Sequence, residues 1–100
     1  MKTSKIIRFH QTGGPEVLQI DDCPDTEPSD HEVRVNVEAF GLNRAECMLR
    51  QGVYAFNPIF PCRLGGEGSG TIAAVGSEVR NVSIGDRAAV IPFAVADEYG

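Results

Sequence analysis

The sequence predicts a mainly β fold, a barrel or a sandwich of short strands with one convincing helix. Three observations carry that prediction. EVRVNVEAF, residues 32–40, alternates strictly, with Val33, Val35, Val37 and Ala39 on one face and Arg34, Asn36 and Glu38 on the other. Short apolar runs recur along the chain with glycine-bearing turns between them. Helix-start chemistry is convincing at one place, residues 43–46. A doubly wound α/β fold, which needs alternating strands and long helices, is disfavoured.

Residues 5–11 and 16–21 are short β-branched or apolar runs separated by Thr-Gly-Gly-Pro, the pattern of two strands joined by a hairpin-like turn. CPDTEPSDHE then carries two prolines and much charge, as a loop would. Asn43-Arg44-Ala45-Glu46 has capping-box form, with Asn43 as N-cap. The helix that follows turns Ala45, Met48 and Leu49 to the core and stops at Gly52, which tolerates a left-handed conformation. VYAFNPIFPCR, aromatic and twice interrupted by proline, reads as an irregular, partly buried loop. Turns are expected at residues 76–78 and 85–86. A strand over 87–91 ends at Pro92.

Length and charge limit the function classes. One hundred residues make one domain with a modest core. A net charge of −5 argues against nucleic acid and anionic membrane surfaces as partners. Six of the 14 acidic residues fall between Asp21 and Glu32, a segment expected to be solvated. The N-terminus lacks an apolar run of signal-peptide length, and the longest apolar run is nine residues, far short of the ~20 that span a bilayer. Cys23, Cys47 and Cys62 show no metal or disulfide spacing, which fits a reducing, cytoplasmic setting. Cys47 is expected to be a small buried hydrophobe, Arg44 and Arg50 solvated, and His10 and His31 surface or structural.

RLGGEGSGTIAAVG, residues 63–76, raises the question of a phosphate loop. Gly65, Gly66, Gly68 and Gly70 never fall at GxGxxG spacing, and the TIAAV that follows is a strand without a helix cap. No Gly-Lys-Ser/Thr is present either. The glycines instead permit a kinked strand to pass where a backbone or a ligand comes close.

Four segments in order, GLN at 41–43, RQGVY at 50–54, LGGEGSGTIAAVG at 64–76 and GDRAAVIP at 85–92, resemble the medium-chain dehydrogenase/reductase superfamily. The resemblance is to its GroES-like N-terminal catalytic domain in quinone oxidoreductase-like members, and it runs from the first strand to Pro92. It implies a partly open GroES-like β-barrel with one or two short helices over residues 1–100. In the full enzyme a Rossmann domain that binds the nicotinamide cofactor would follow. It also implies hydride transfer from NADPH or NADH to a quinone or an enone-type alkene, in a parent that is a cytoplasmic homodimer. Asn43 would lie beside the nicotinamide and the substrate, as both a catalytic and a cofactor-binding residue. Tyr54 would lie near the same cleft as a second catalytic residue; its other reading is a loop aromatic packing with Phe56 and Phe60. Met48 would face the cofactor, where some relatives show a tyrosine.

Zinc-dependent relatives carry cysteine where this chain has Asn43, and Gly-His-Glu where it has Gly65-Gly66-Glu67. Catalytic zinc takes three Cys, His or carboxylate ligands, and Glu67 alone survives, so no metal is expected. Cys47 as a substitute ligand is the weaker reading. The cysteine-rich lobe that holds structural zinc in some relatives would begin near Pro92, where IPFAVADEYG has no cysteine. Glu67 is expected to pair with an arginine such as Arg63 or Arg87, since a lone buried carboxylate is costly.

Two rivals share the fold: a zinc-dependent alcohol dehydrogenase-like domain, and a non-catalytic GroES-like binding module. The module would want a long mobile loop, whereas the loop here is short and stiffened by proline. The 100-residue chain by itself is expected to be inactive and to bind nicotinamide dinucleotide only weakly. Fluorescence titration with NADPH checks this, and micromolar affinity would contradict it.

Overall fold

The computed structural model describes residues 2–91, which form two three-stranded antiparallel sheets, one α-helix and one 3-10 turn. The fold is mainly β and GroES-like, and the two sheets do not close into a single barrel.

The first sheet begins with strand β1 (Thr3–Phe9). Pro15 and a hydrogen bond from the Gly14 N–H to the Glu16 carboxylate, 3.2 Å, set a 3-10 turn at Pro15–Val17. That turn takes the first two residues of the run read as a strand over 16–21, with Leu18 as its cap, and delays strand β2 to Gln19–Pro24. β2 lies antiparallel to β1 with Lys5 opposite Asp22 and Ile7 opposite Ile20. The Lys5 ammonium meets the Asp22 carboxylate at 2.7 Å. Asp21 accepts from the Arg8 guanidinium, with His10 Nε2 within 3.4 Å of the same oxygen. The Arg8 hydrogen bond, helped by His10, holds the Asp21 carboxyl below its usual range, and Asp21 in turn raises the Arg8 guanidinium. The acidic segment is therefore knitted into the fold rather than simply solvated. Arg34 also pairs with Glu27 at 2.9 Å, and Ser77 Oγ donates to Asp30 at 2.8 Å.

The aromatic loop, expected to be irregular, ends in a two-residue strand. Strand β3 is Val33–Ala39, helix α1 is Arg44–Gln51, and the short strand is β4, Cys62–Arg63. β4 pairs with β1, Phe9 opposite Cys62, giving the order β2-β1-β4. The alternation that marks β3 is a property of its own residues. The pairing that creates β4 is available only after the loop has folded back on Phe9.

α1 is as read. Past its last residue, Gly52 takes φ +78° and donates to Leu49 O at 3.1 Å, while the Val53 N–H reaches Met48 O at 3.0 Å. These two bonds form a Schellman motif, which satisfies the last carbonyls. Leu49 is fully buried, Ala45 and Met48 half-buried. Cys47, expected inside, is exposed: two residues from Leu49 on a helix is a rotation of ~200°, which turns it outward. Arg50, expected to be solvated, donates to Gly13 O at 3.1 Å while the Gly13 N–H donates to Arg50 O at 3.0 Å. This exchange clamps the end of α1 to the β1–β2 connection.

Strands β5 (Gly68–Val75) and β6 (Arg87–Val90) complete the second sheet in the order β3-β5-β6. The expectation of a close approach along the glycine stretch is met at Gly70. A Cβ there would lie 1.9 Å from Asn36 O, next to a register shift between Val37 and Ala39. The expected strand stop at Pro92 lies outside the described residues, as does the segment where a zinc lobe would begin.

The core is small. Phe9 and Leu49, both fully buried, cluster with Val17 and Cys62, and Leu18, Tyr54 and Leu64 pack against them. The second sheet is less covered. Of the apolar face read on β3, Val35 is half-buried, but Val37 is 56% exposed and Val33 and Ala39 are exposed too, as are Phe40 and Leu42 beyond them.

Leu49→Ala removes the largest aliphatic group of this core and should destabilise the fold by about 3 kcal/mol. The midpoint of urea unfolding, compared with that of Cys47→Ala on the exposed face, measures it; Cys47→Ala is expected to stay within about 0.5 kcal/mol of the parent.

Candidate active site

Two segments meet at the N-terminal end of α1: the β3–α1 link, which contains Gly41 and the N-cap Asn43, and the residues just before β5, which include Glu67. Asn43 Nδ2 donates to Glu67 Oε1 at 2.8 Å across 24 residues of sequence. The capping box is present in loose form. The Glu46 carboxylate reaches back to the Asn43 N–H at 3.4 Å, and no hydrogen bond of full geometry runs from the Asn43 side chain to the helix. The amide nitrogen is thus turned away from the helix, toward Glu67. Glu46 Oε1 is buried and has no hydrogen-bond partner among the described residues.

Gly41 explains how Glu67 comes so near. A Cβ at Gly41 would lie 2.6 Å from Glu67 Oε1, so the carboxylate occupies the space a side chain would take. The expected arginine partner is replaced in this geometry by the amide of Asn43. The missed pairing had one signal in the sequence: both Asn43 and Glu67 sit within two residues of glycine, where a polar side chain can approach backbone closely.

The other candidates lie elsewhere. Met48 is half-buried on the second turn of α1. Tyr54 follows the C-terminal end of α1, beyond ~12 Å of helix from Asn43. It packs on the core cluster and meets Phe56 edge-on, ring centres 5.2 Å apart. Phe60, the other proposed neighbour of Tyr54, stacks edge-on against Phe9 at 5.9 Å. The structure brings Asn43 together with Glu67 and Glu46, and holds Tyr54 at the opposite end of the helix.

An amide that donates and a carboxylate that accepts make a hydrogen bond but not a zinc ligand set, which draws on three thiolate, imidazole or carboxylate groups. Among the described residues no group of three or more His, Cys, Asp or Glu is placed to hold one ion. No described helix is long and apolar enough to cross a membrane.

A mainly β chain with two three-stranded sheets, one short helix and a glycine-rich strand beside the helix start has the architecture of a GroES-like domain. Residues 29–99 match the alcohol dehydrogenase GroES-like domain, and the chain belongs to that family, within the medium-chain dehydrogenase/reductase superfamily. Its curated relatives include a quinone oxidoreductase of Pseudomonas aeruginosa, 46% identical over 86% of this chain and 26% of the relative. Another is a quinone oxidoreductase of Salmonella typhimurium, 41% identical over 81% of this chain and 24% of the relative. Among solved structures, Escherichia coli quinone oxidoreductase complexed with NADPH matches with a TM-score of 0.82 at 37% identity, over 86% of this chain and 26% of that one. The chain spans about a quarter of the length of these relatives.

Two glycine substitutions separate a movable obstacle from a fixed one. Gly41→Ala meets the end of a flexible glutamate and should cost under about 1 kcal/mol, whereas Gly70→Ala meets backbone and should cost about 2 kcal/mol or more. Urea unfolding of the two variants checks the order, and equal costs would contradict it.

Proposed function

We propose that this chain is the N-terminal catalytic domain of a zinc-independent oxidoreductase that passes a hydride from NADPH to a quinone or a related enone. The observation that carries the reading is the Asn43–Glu67 hydrogen bond. It places a neutral donor on an exposed residue at the helix start, where an incoming carbonyl oxygen can be met without a metal.

The residues present suit the nicotinamide end of the cofactor and not its phosphates. Asn43 offers an amide to a carboxamide or carbonyl group, and Met48 offers an apolar surface one turn along. The glycine stretch is occupied as strand β5 and supplies no phosphate-binding turn. When bound, the cofactor supplies two electrons as hydride. The protein's part is to hold the acceptor ring against it and to donate a hydrogen bond to the oxygen on which negative charge develops. The quinone takes that hydride and a proton and leaves as the hydroquinone. In this reading Tyr54 forms part of the cleft wall from the far end of α1. The exposed Val37, Phe40 and Leu42 meet the remainder of a longer protein. NADPH is favoured over NADH because the Escherichia coli relative is complexed with it. The cytoplasmic setting and the homodimer belong to the same proposal.

The test is steady-state reduction of a simple benzoquinone by the full-length protein with NADPH, alongside elemental analysis. Turnover without bound zinc is expected, and Asn43→Ala should lower kcat/KM by roughly tenfold, the loss of about one good hydrogen bond in the transition state. One zinc per chain, or activity with alcohols alone, would overturn the reading.

A further inference from the structure

We infer that Glu67 is a positioning residue, which fixes the side-chain amide of Asn43 so that Asn43 presents a hydrogen-bond donor to the substrate or cofactor; this rests on the role of Asn43 proposed above. An asparagine amide can be turned end for end at little cost, exchanging a donor for an acceptor at any point it faces. A carboxylate accepts hydrogen bonds and does not donate them. With Glu67 Oε1 at 2.8 Å, the NH2 end of Asn43 has to face Glu67, and the Oδ1 end has to face away. One of the two Nδ2 protons is taken by this bond, and the other remains in a fixed direction.

Asn43 is held by the helix, and Glu67 has room to reach it. The Asn43 main chain is tied to the start of α1 by the Glu46 carboxylate at 3.4 Å and by the Glu46 N–H, which donates to Asn43 O at 3.1 Å. Glu67 Oε1 rests in the space left by the absent side chain of Gly41, 2.6 Å from where a Cβ would stand. The charge-assisted bond joins the held amide to the carboxylate seated beside Gly41, and such bonds are roughly twice as strong as neutral ones. A donor held this way needs no reorganisation when charge develops on an acceptor oxygen, which is the property that makes a preorganised donor effective. Glu67 touches neither substrate nor cofactor in this scheme and acts through Asn43.

The experiment compares Glu67→Gln and Glu67→Leu in the full-length protein, with two readouts. The first is the pair of Asn43 side-chain amide protons in protein labelled with 15N-asparagine, assigned by their disappearance in Asn43→Ala. In the parent, one proton exchanges with solvent markedly more slowly than the other. Glu67→Gln, which keeps an acceptor oxygen, preserves that difference; Glu67→Leu, of similar size with no acceptor, abolishes it. The second readout is the reduction of a benzoquinone by NADPH. Glu67→Leu should lower kcat about tenfold with KM changed less than about threefold, and Glu67→Gln should recover most of the loss.

Unchanged Asn43 amide protons in Glu67→Leu would overturn the inference, as would an equal loss of kcat in both variants. If the parent protein reduces no quinone, the functional proposal fails while the amide protons still decide whether Glu67 orients Asn43. If it reduces quinones and the amide protons ignore Glu67, the positioning role alone fails.

Discussion

Burial of Leu49 and Phe9 in one cluster is the constraint on which the arrangement of the chain depends. Each is fully buried, and each side chain of this size contributes roughly 1.5–3 kcal/mol when taken out of water. Phe9 ends β1 and Leu49 lies in the last turns of α1, so their meeting sets the helix on the first sheet. The remaining core members, Val17 and Cys62, come from the 3-10 turn and from β4, so each connection of the first sheet is pinned to the same cluster. A core this small leaves little redundancy. The exchange between Arg50 and Gly13 adds two hydrogen bonds at the C-terminal end of α1, where a rotation of the helix would otherwise be cheapest.

Fixing the C-terminal end of α1 determines where its N-terminal end can point. The helix is rigid over its eight residues, so Asn43 stands at the end of the second sheet where Glu67 leads into the central strand β5. The close pairing of β3 and β5 at Gly70 holds that end of the sheet together. The candidate site thus lies where β3 leads into α1 and Glu67 leads into β5, and its hydrogen bond joins the helix start to the strand paired with β3. The same construction explains the contrast between the two ends of α1. The C-terminal end is packed with aromatic residues and closed by backbone hydrogen bonds, while the N-terminal end is polar and exposed, with two carboxylates around one amide.

Local chemistry made much of this legible. The capping pattern at 43–46 and the glycine at 52 bound α1 correctly, because caps depend on residues a few positions apart. β3 was legible from its alternation, and β5 from the absence of a phosphate-loop spacing in a glycine-rich, β-branched run. Errors arose where a local turn or helix face was misread and where a partner lay far off in sequence. The 16–21 run contains a turn that only Pro15 and the Glu16 carboxylate together explain, and β4 exists through its pairing with β1. Cys47 was misplaced because a small residue carries no strong preference of face, and Arg50 because its acceptor is 37 residues away.

What the sequence determined by itself is the class of fold, the limits of the helix and the family resemblance, since these rest on periodicity, capping and ordered short motifs that any segment displays without its partners. Tertiary structure alone decided that Asn43 turns its amide to Glu67, that Glu67 stands in the space beside Gly41, and that Tyr54 sits at the other end of α1. The physical reason is that a hydrogen bond between side chains 24 residues apart depends on strand pairing: Ala39 of β3 lies opposite Ser69 of β5, which brings the segments of Asn43 and Glu67 together, while the burial of Phe9 and Leu49 seats the helix.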